Sequence, residues 1–181
     1  GLDTARTTPA SVYGGSSGVF QRYQRYKMTL GENVIISDTE RDTGAVGIES
    51  ALREAGAELA GIGQETMLSP EFDGVDLSGG QWQRVAIARG LYRTSNFIVL
   101  DEPTAAIDPI EETRIYTQFQ QLAKGKCAVV VTHRLGSAKL AHRIIVMDSG
   151  QIVDAGTHDE LLTRPGRYAD MWEAQAQWYE R

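Results

Sequence analysis

The sequence predicts an α/β fold built on a mainly parallel sheet. Three short apolar runs, at residues 97–100, 128–132 and 144–147, have the length and composition of strands. The first two of these runs are apolar throughout or nearly so, which is typical of strands covered on both faces. Apolar residues also recur at helical spacing over residues 45–59, which indicates a helix with one core-facing side. We therefore expect a sheet made from these runs beside a helical lobe.

A helix start lies at LSGGQ, residues 77–81. Ser78 is a favourable N-cap residue, and Gln81 follows it at the spacing of a capping box. Gly79 and Gly80 lie between them, so no side chain shields the first free backbone N–H groups. A helix end with unpaired donors and a positive dipole suits a phosphate, although an ordinary capped helix could begin in the same way.

Two acids end the first apolar run. Asp101 and Glu102 directly follow residues 97–100, and Pro103 stops the strand. In open α/β sheets, ligands bind at the carboxyl ends of strands. Because adjacent strand residues point to opposite sides, we expect different roles for the two acids. One would hold Mg²⁺, directly or through water, and the other would orient or activate a water molecule.

LSGGQ followed by a helix, four apolar residues and DEP resembles the signature motif and Walker B strand of an ATP-binding cassette (ABC) ATPase. The resemblance implies a P-loop NTPase-like α/β fold with an inserted helical lobe, and ATP and Mg²⁺ as cofactors. It assigns Asp101 to the metal and Glu102 to the attacking water as general base. The segments GTHDELL and GRYADMWEAQAQ look like the tail of exporter-type members of the family.

Other positions match further motifs of the family. Gln21 resembles the Q-loop glutamine that reaches Mg²⁺ and the attacking water, with a surface glutamine as the alternative. His133 matches the switch histidine that contacts the γ-phosphate, and Asp108 matches the D-loop and also has the sequence context of an N-cap. Tyr23 would either contact a transmembrane domain or pack the lobe. The family's sites form in a head-to-tail dimer, so residues 78–81 would serve a nucleotide held mainly by a second nucleotide-binding domain.

One motif of the family does not occur in the sequence. No glycine-rich segment has the form GxxxxGK[ST], the Walker A phosphate loop. We expect residues 1–18 to be a linker-like segment and residues 19–181 to be a partial nucleotide-binding domain. Its helical lobe would cover about residues 22–88, and its remaining ATPase core about residues 89–181. Such an incomplete sheet would expose an edge and apolar surface, which favours association with another chain or a swapped fold.

Composition argues against several classes of protein. Acidic residues outnumber basic ones by 24 to 18, and the net charge of −6 disfavours a nucleic-acid partner. Cys127 is the single cysteine, so no disulfide can form within the chain. No apolar segment reaches the roughly 18 residues that a membrane-spanning helix needs, and no signal peptide opens the sequence. We expect a cytoplasmic chain that is peripheral to the membrane through a transmembrane partner or domain.

The resemblance implies the C-terminal portion of an ABC transporter ATP-binding domain, which couples ATP hydrolysis to transport, in the export direction, through a transmembrane domain. Without a phosphate loop and its lysine, we expect this chain alone neither to bind ATP tightly nor to hydrolyse it. Two alternatives remain open. The chain could be a catalytically inactive binding or dimerisation module, or it could come from a non-transport ABC ATPase of DNA repair or translation.

Overall fold

A computed structural model describes residues 3–41, 43–102, 116, 119–120, 123 and 125–179. The chain divides into two compact units, Gly1–Val131 and Thr132–Arg181. Among the described helices, none is both long enough and apolar enough to cross a bilayer. The elements in chain order are α1 (Pro9–Gly14), β1 (Ser16–Val19), α2 (Leu30–Ile35), α3 (Gly44–Glu54), α4 (Gly79–Tyr92), β2 (Phe97–Asp101), β3 (Cys127–Val131), α5 (Leu135–Ala138), β4 (Ile144–Asp148), β5 (Gln151–Gly156), α6 (His158–Leu162) and α7 (Arg167–Tyr179), with 3₁₀ turns at Thr4–Arg6 and Pro70–Phe72.

The first unit contains a parallel three-stranded sheet in the order β1–β2–β3. Val19 lies opposite Leu100, and Leu100 lies opposite Val130. Ile98 and Leu100 of β2 are buried, but all five residues of β3 are exposed. The prediction of a buried strand at residues 128–132 is therefore wrong. The physical reason lies at the faces of the strand, because β2 is the main described partner of β3 and pairs along its edge, which leaves side chains on the faces open to water.

The third apolar run lies outside this parallel sheet. β4 pairs with β5 in a separate antiparallel two-stranded sheet, so the prediction that residues 144–147 join the other two runs is wrong. The hairpin itself was predicted from Ser149 and Gly150, and the structure confirms it. Their φ angles of 50° and 78° are both left-handed, as a two-residue type I′ turn requires. A connection this short can join only antiparallel neighbours.

The segment predicted to be linker-like, residues 1–18, contains a short helix and a strand in the part that the structure describes. Thr8 caps α1 through its side chain, and a proline occupies the first helical position. β1 then pairs along β2, and the hydroxyls of Ser17 and Ser95 lie 2.8 Å apart in a hydrogen bond. The small polar residues of β1 carry no apolar periodicity that would predict a strand, and parallel pairing with a distant strand supplies the order.

Helices α2, α3 and α4 pack against one another and form the helical lobe. The predicted apolar face of α3 is buried at Ile48 and Leu52. Near its C-terminal end, helix α4 lies closely against β1. A Cβ added at Gly90 would come within 2.5 Å of the Cγ2 of Val19. Glycine therefore permits the close approach of helix and strand. As a result, one helix, α4, connects the lobe to the sheet.

In the second unit, α6 and α7 both pack against β5 of the hairpin. Thr157 and Glu160 form the predicted capping box at the start of α6, because the backbone N–H of each residue donates a hydrogen bond to the side chain of the other. The hairpin also carries apolar side chains that are more than half exposed, namely Ile145, Met147 and Ile152. The core of this unit consists of Leu135, Ile144, Val146, Leu161 and Tyr168.

Candidate functional site

The first turn of α4 has backbone donors that precede its helical hydrogen bonds. The Oγ of Ser78 accepts a hydrogen bond from the N–H of Gln81 at 3.3 Å, and the Oε1 of Gln81 accepts from the N–H of Ser78 at 2.8 Å. The predicted capping box is therefore confirmed. Trp82 is the first residue to donate within the helix, so the N–H groups of Gly79 and Gly80 precede the intrahelical ladder. A Cβ added at Gly79 would meet no atom within 4 Å.

Two of the predicted site residues meet where parallel strands end. Val19 pairs with Leu100, so Gln21 and Glu102 each lie two residues beyond a paired position. The Nε2 of Gln21 donates a hydrogen bond to the Oε2 of Glu102 at 2.8 Å, across a separation of 81 positions in the chain. The N–H of Glu102 donates to the carbonyl of Val131 at 2.9 Å, so the backbone at this position is tied to β3.

Glu102 has an unusual backbone conformation. Its φ of 46° lies in the left-handed region, which favours glycine over a residue with a side chain. Holding a non-glycine residue there costs on the order of 1–3 kcal/mol. Asp101 is the last residue of β2 and is half-buried, whereas Glu102 lies beyond the strand. The alternation argument used to separate the two acids thus applies only up to Asp101.

The side chains at this strand end suit a magnesium–nucleotide complex. Mg²⁺ prefers oxygen ligands and is commonly bound by one or two carboxylates together with phosphate oxygens and water. Asp101 and Glu102 supply carboxylates, and Gln21 supplies an amide oxygen while its nitrogen bonds Glu102. The bare glycine at the start of α4 likewise leaves room for phosphate oxygens, which a Cβ at Gly79 would partly fill.

A tyrosine hydroxyl connects the stretch at residues 21–29, called the Gln21 segment below, with the start of α4. Tyr23 Oη donates a hydrogen bond to the carbonyl oxygen of Gly79 at 2.8 Å. The sequence offered only packing or contact with a membrane domain as roles for Tyr23. The contact joins residues 56 positions apart, and no local pattern in the sequence indicates it.

A second connection lies near the other end of α4. Arg89 donates through Nε to the carbonyl of Asn33 at 2.8 Å, through Nη2 to the Oδ1 of Asn33 at 3.0 Å, and through Nη1 to the carbonyl of Gln24 at 3.2 Å. Its guanidinium also lies 4.7 Å from the ring centroid of Tyr26. Burial lowers the pKa of Arg89. Neither Arg89 nor Asn33 was a predicted site residue, because each appears in the sequence only as a polar residue among apolar ones.

Two further predicted site residues, His133 and Asp108, lie outside the first unit's cluster or outside the described residues. His133 belongs to the second unit, where its backbone carbonyl accepts from the Nε2 of Gln175 at 2.8 Å. The Oε1 of Gln175 in turn accepts from the N–H of Leu135 at 3.2 Å. These bonds fix the backbone at His133, and the role of its ring stays a prediction. Asp108 lies outside the described residues, and its D-loop role also stays a prediction.

Two acids at the end of one parallel strand, a neighbouring glutamine and a bare helix start within one α/β unit are features of an ATP-binding domain of the P-loop NTPase type. The family model described as ABC transporter matches residues 5–105. This chain belongs to the ABC transporter family. The match begins well before residue 19, so the family's domain includes most of the segment that was expected to be a linker.

The most similar relatives include exporters. The chain is 39% identical over 164 residues to the subtilin transport ATP-binding protein SpaT of Bacillus subtilis, a match that covers 88% of this chain and 27% of SpaT. It is 37% identical over 163 residues to an ATP-dependent lipid A-core flippase of Chromohalobacter salexigens, covering 88% of this chain and 28% of the flippase. Among solved structures, a bacterial Atm1-family ABC exporter with ATP bound matches 97% of this chain and 31% of its own, with a TM-score of 0.85 and 30% identity. The exporter-type resemblance is confirmed, and the chain spans 27–28% of the length of these curated relatives.

Proposed function

We propose that this chain supplies the signature and Walker B parts of an ATP site in an ABC exporter, where ATP hydrolysis drives transport through a transmembrane domain. The observation that carries the proposal is the hydrogen bond of 2.8 Å between Gln21 and Glu102. It brings together the two side chains that the family resemblance assigns to the attacking water. Their chemistry is that of a carboxylate base with an amide beside it to hold the water or the metal.

Each predicted site residue has a specific part in this proposal. Asp101 and Gln21 would hold Mg²⁺, and Glu102 would accept a proton from the attacking water. Gly79 and Gly80 would donate their N–H groups to phosphate oxygens, within the turn capped by Ser78 and Gln81. His133 would contact the γ-phosphate, and Asp108 would act in the D-loop.

The nucleotide itself would be held mainly by a second nucleotide-binding domain. The sequence has no GxxxxGK[ST] segment, so it supplies no phosphate-loop lysine for the β- and γ-phosphates. A helix start offers donors and a partial positive charge, which alone contribute about 0.3–1 kcal/mol at an exposed site. In this proposal the chain works on the cytoplasmic side of a membrane, bound to a transmembrane domain.

The first test is calorimetry with Mg–ATP on the purified chain. We expect no measurable heat at millimolar nucleotide, both for the wild-type chain and for Glu102→Gln. The second test adds the ATP-binding domain of SpaT as a source of a phosphate loop. The amide NMR signals of Gly79 and Gly80 in the labelled chain should then move only when both the SpaT domain and Mg–ATP are present.

Two substitutions at exposed glycines make the second test specific. A Cβ has open space at both Gly79 and Gly136, so Gly79→Val and Gly136→Val carry comparable risks to folding. The shift of the Gly80 amide signal on addition of the SpaT domain and Mg–ATP should disappear in Gly79→Val and persist in Gly136→Val. Tight binding of Mg–ATP by the chain alone, strengthened by Glu102→Gln, would show that the chain holds phosphates without a second domain.

A further inference from the structure

We propose that Tyr23 is a positioning residue that couples Gln21 to the first turn of α4. The inference rests on the proposed roles of Gln21 and Gly79 as groups that face the nucleotide. It adds a physical link between them, so that a displacement at either one is felt at the other. The link is the hydrogen bond from the Tyr23 hydroxyl to the carbonyl of Gly79.

The contacts form a short continuous path through the first unit. Glu102 accepts from Gln21 at 2.8 Å, Tyr23 follows Gln21 by two residues, and its hydroxyl reaches Gly79 at 2.8 Å. Gly79 uses its carbonyl in this contact, and its N–H precedes the first hydrogen bond of the helix, which Trp82 donates. One residue therefore carries both the link to the Gln21 segment and a donor for a phosphate.

The rest of the segment is fixed without Tyr23. Asn33 is fully buried, and its Nδ2 donates to three carbonyls of the segment, those of Tyr26, Met28 and Thr29, at 3.0–3.3 Å. Arg89 holds the carbonyl of Gln24 from α4. Residues 21–23 thus lie between β1 and a firmly held backbone, and the Tyr23 hydroxyl is the described contact that ties this stretch to the first turn of α4.

This arrangement makes coupling between the two groups reciprocal. A ligand that draws the first turn of α4 toward a phosphate would displace the Gly79 carbonyl and, with it, the Tyr23 side chain. A ligand that rearranges Gln21 would act on the first turn by the same route, because linkage requires equal effects in both directions. Removing only the hydroxyl should break the coupling while the segment stays in place.

The test uses the ligand-free chain labelled with ¹⁵N, so it does not depend on nucleotide binding. Gln21→Ala serves as the disturbance, and the amide signals of Gly79 and Gly80 serve as the readout. The disturbance is applied in three backgrounds, which are wild type, Tyr23→Phe and Tyr13→Phe. Tyr13 is a matched control because its side chain is 69% exposed and its carbonyl, which accepts from Arg93, is unaffected by loss of the hydroxyl.

We expect Gln21→Ala to displace the Gly79 and Gly80 signals in the wild-type and Tyr13→Phe backgrounds, and to leave them in place in the Tyr23→Phe background. A residue that serves only to pack the lobe would not produce this selective loss. Equal displacement in all three backgrounds, or none in the wild type, would overturn the inference. Folding of Tyr23→Phe is checked by unchanged amide signals in α3. The nucleotide tests could fail while Gln21→Ala still displaces the Gly79 and Gly80 signals in every background except Tyr23→Phe. That result would refute the proposed function and support the coupling.

Discussion

Glu102 combines a polar side chain that contacts Gln21 with a backbone angle that suits glycine. The φ of 46° means that any Cβ at this position is strained, whereas glycine is not. Comparing Glu102→Gly with Glu102→Ala separates the two features, since both variants lose the carboxylate and only alanine keeps the Cβ. We predict that Glu102→Gly is more stable than Glu102→Ala by about 1 kcal/mol in urea unfolding. Equal stability would mean that this backbone conformation stores no strain.

Glu160 gives a prediction about pH. The hydrogen bond from the backbone N–H of Thr157 is the main cause that lowers the pKa of Glu160 below its ordinary value of 4.5, and the Thr157 side chain, Arg164 and Arg143 act in the same direction. A lowered pKa in the folded state stabilises the fold above the unfolded pKa, and this stabilisation is lost as the pH falls through the folded pKa. Wild type should therefore lose stability between about pH 5 and pH 3, and Glu160→Gln should lose less, because its amide oxygen still accepts the capping bond at any pH.

The measurement is the midpoint of urea unfolding at several pH values, with circular dichroism as the signal. Glu65→Gln is the control, since Glu65 is exposed and takes no part in a capping box. An acid dependence that is identical in wild type and Glu160→Gln would contradict the assignment of this loss to the capping box of α6.

At the residue scale, local chemistry could be predicted and distant contacts could not. The capping pairs Ser78–Gln81 and Thr157–Glu160 were found because both partners lie within one helical turn. The hydroxyl contact of Tyr23 depends on how α4 is placed, and no periodicity encodes that placement. Gln21 was predicted through the family resemblance, and its bond to Glu102 is a consequence of the parallel pairing of β1 with β2.

At the scale of elements, α4 holds the Gln21 segment through Arg89. Lysine at this position would keep the charge but could not reach the carbonyl of Gln24 and both oxygens of Asn33 at once. We predict that Arg89→Lys destabilises the chain by about 2 kcal/mol, since hydrogen bonds to charged groups contribute about 1.5–3 kcal/mol. Urea unfolding measures this difference.

The control for that substitution is Arg53→Lys, at an exposed helical arginine whose ion-pair distance to Glu58 is 3.6 Å. It should change stability by less than about 0.5 kcal/mol, as surface ion pairs contribute little. If Arg89→Lys is equally mild, the hydrogen bonds around Asn33 do not hold the segment.

For the strands, the positions along the sequence were predicted better than the neighbouring strand with which each one pairs. Apolar runs placed β2, β3 and β4 within one residue at each end, because the pattern is local. Partner choice depends on long-range pairing, so β4 was assigned to the parallel sheet although it pairs with β5. β1 was missed entirely, since SSGV has one large apolar residue and its order comes from β2.

At the scale of the whole chain, apolar surface is exposed in both units. Val129, Val130 and Val131 of β3 are 38–50% exposed, and Met147 and Ile152 of the hairpin are each 64% exposed. Exposed apolar surface was predicted as the consequence of an incomplete sheet. Exposed apolar surface favours association with another surface, because its burial removes apolar area from water.

We predict that the exposed hairpin surface drives self-association of the chain. Met147 lies opposite Ile152 across the hairpin, so Met147→Lys with Ile152→Glu places opposite charges on a cross-strand pair and leaves the net charge unchanged. The double variant should keep the fold while its self-association constant, measured by sedimentation equilibrium, falls at least about tenfold, which corresponds to about 1.4 kcal/mol of lost apolar burial. The control introduces the same charges at Val46 and Tyr13, which are 77% and 69% exposed in the first unit. If both double variants associate as strongly as wild type, the hairpin surface does not drive association, and the exposed valines of β3 become the next surface to test by the same substitutions.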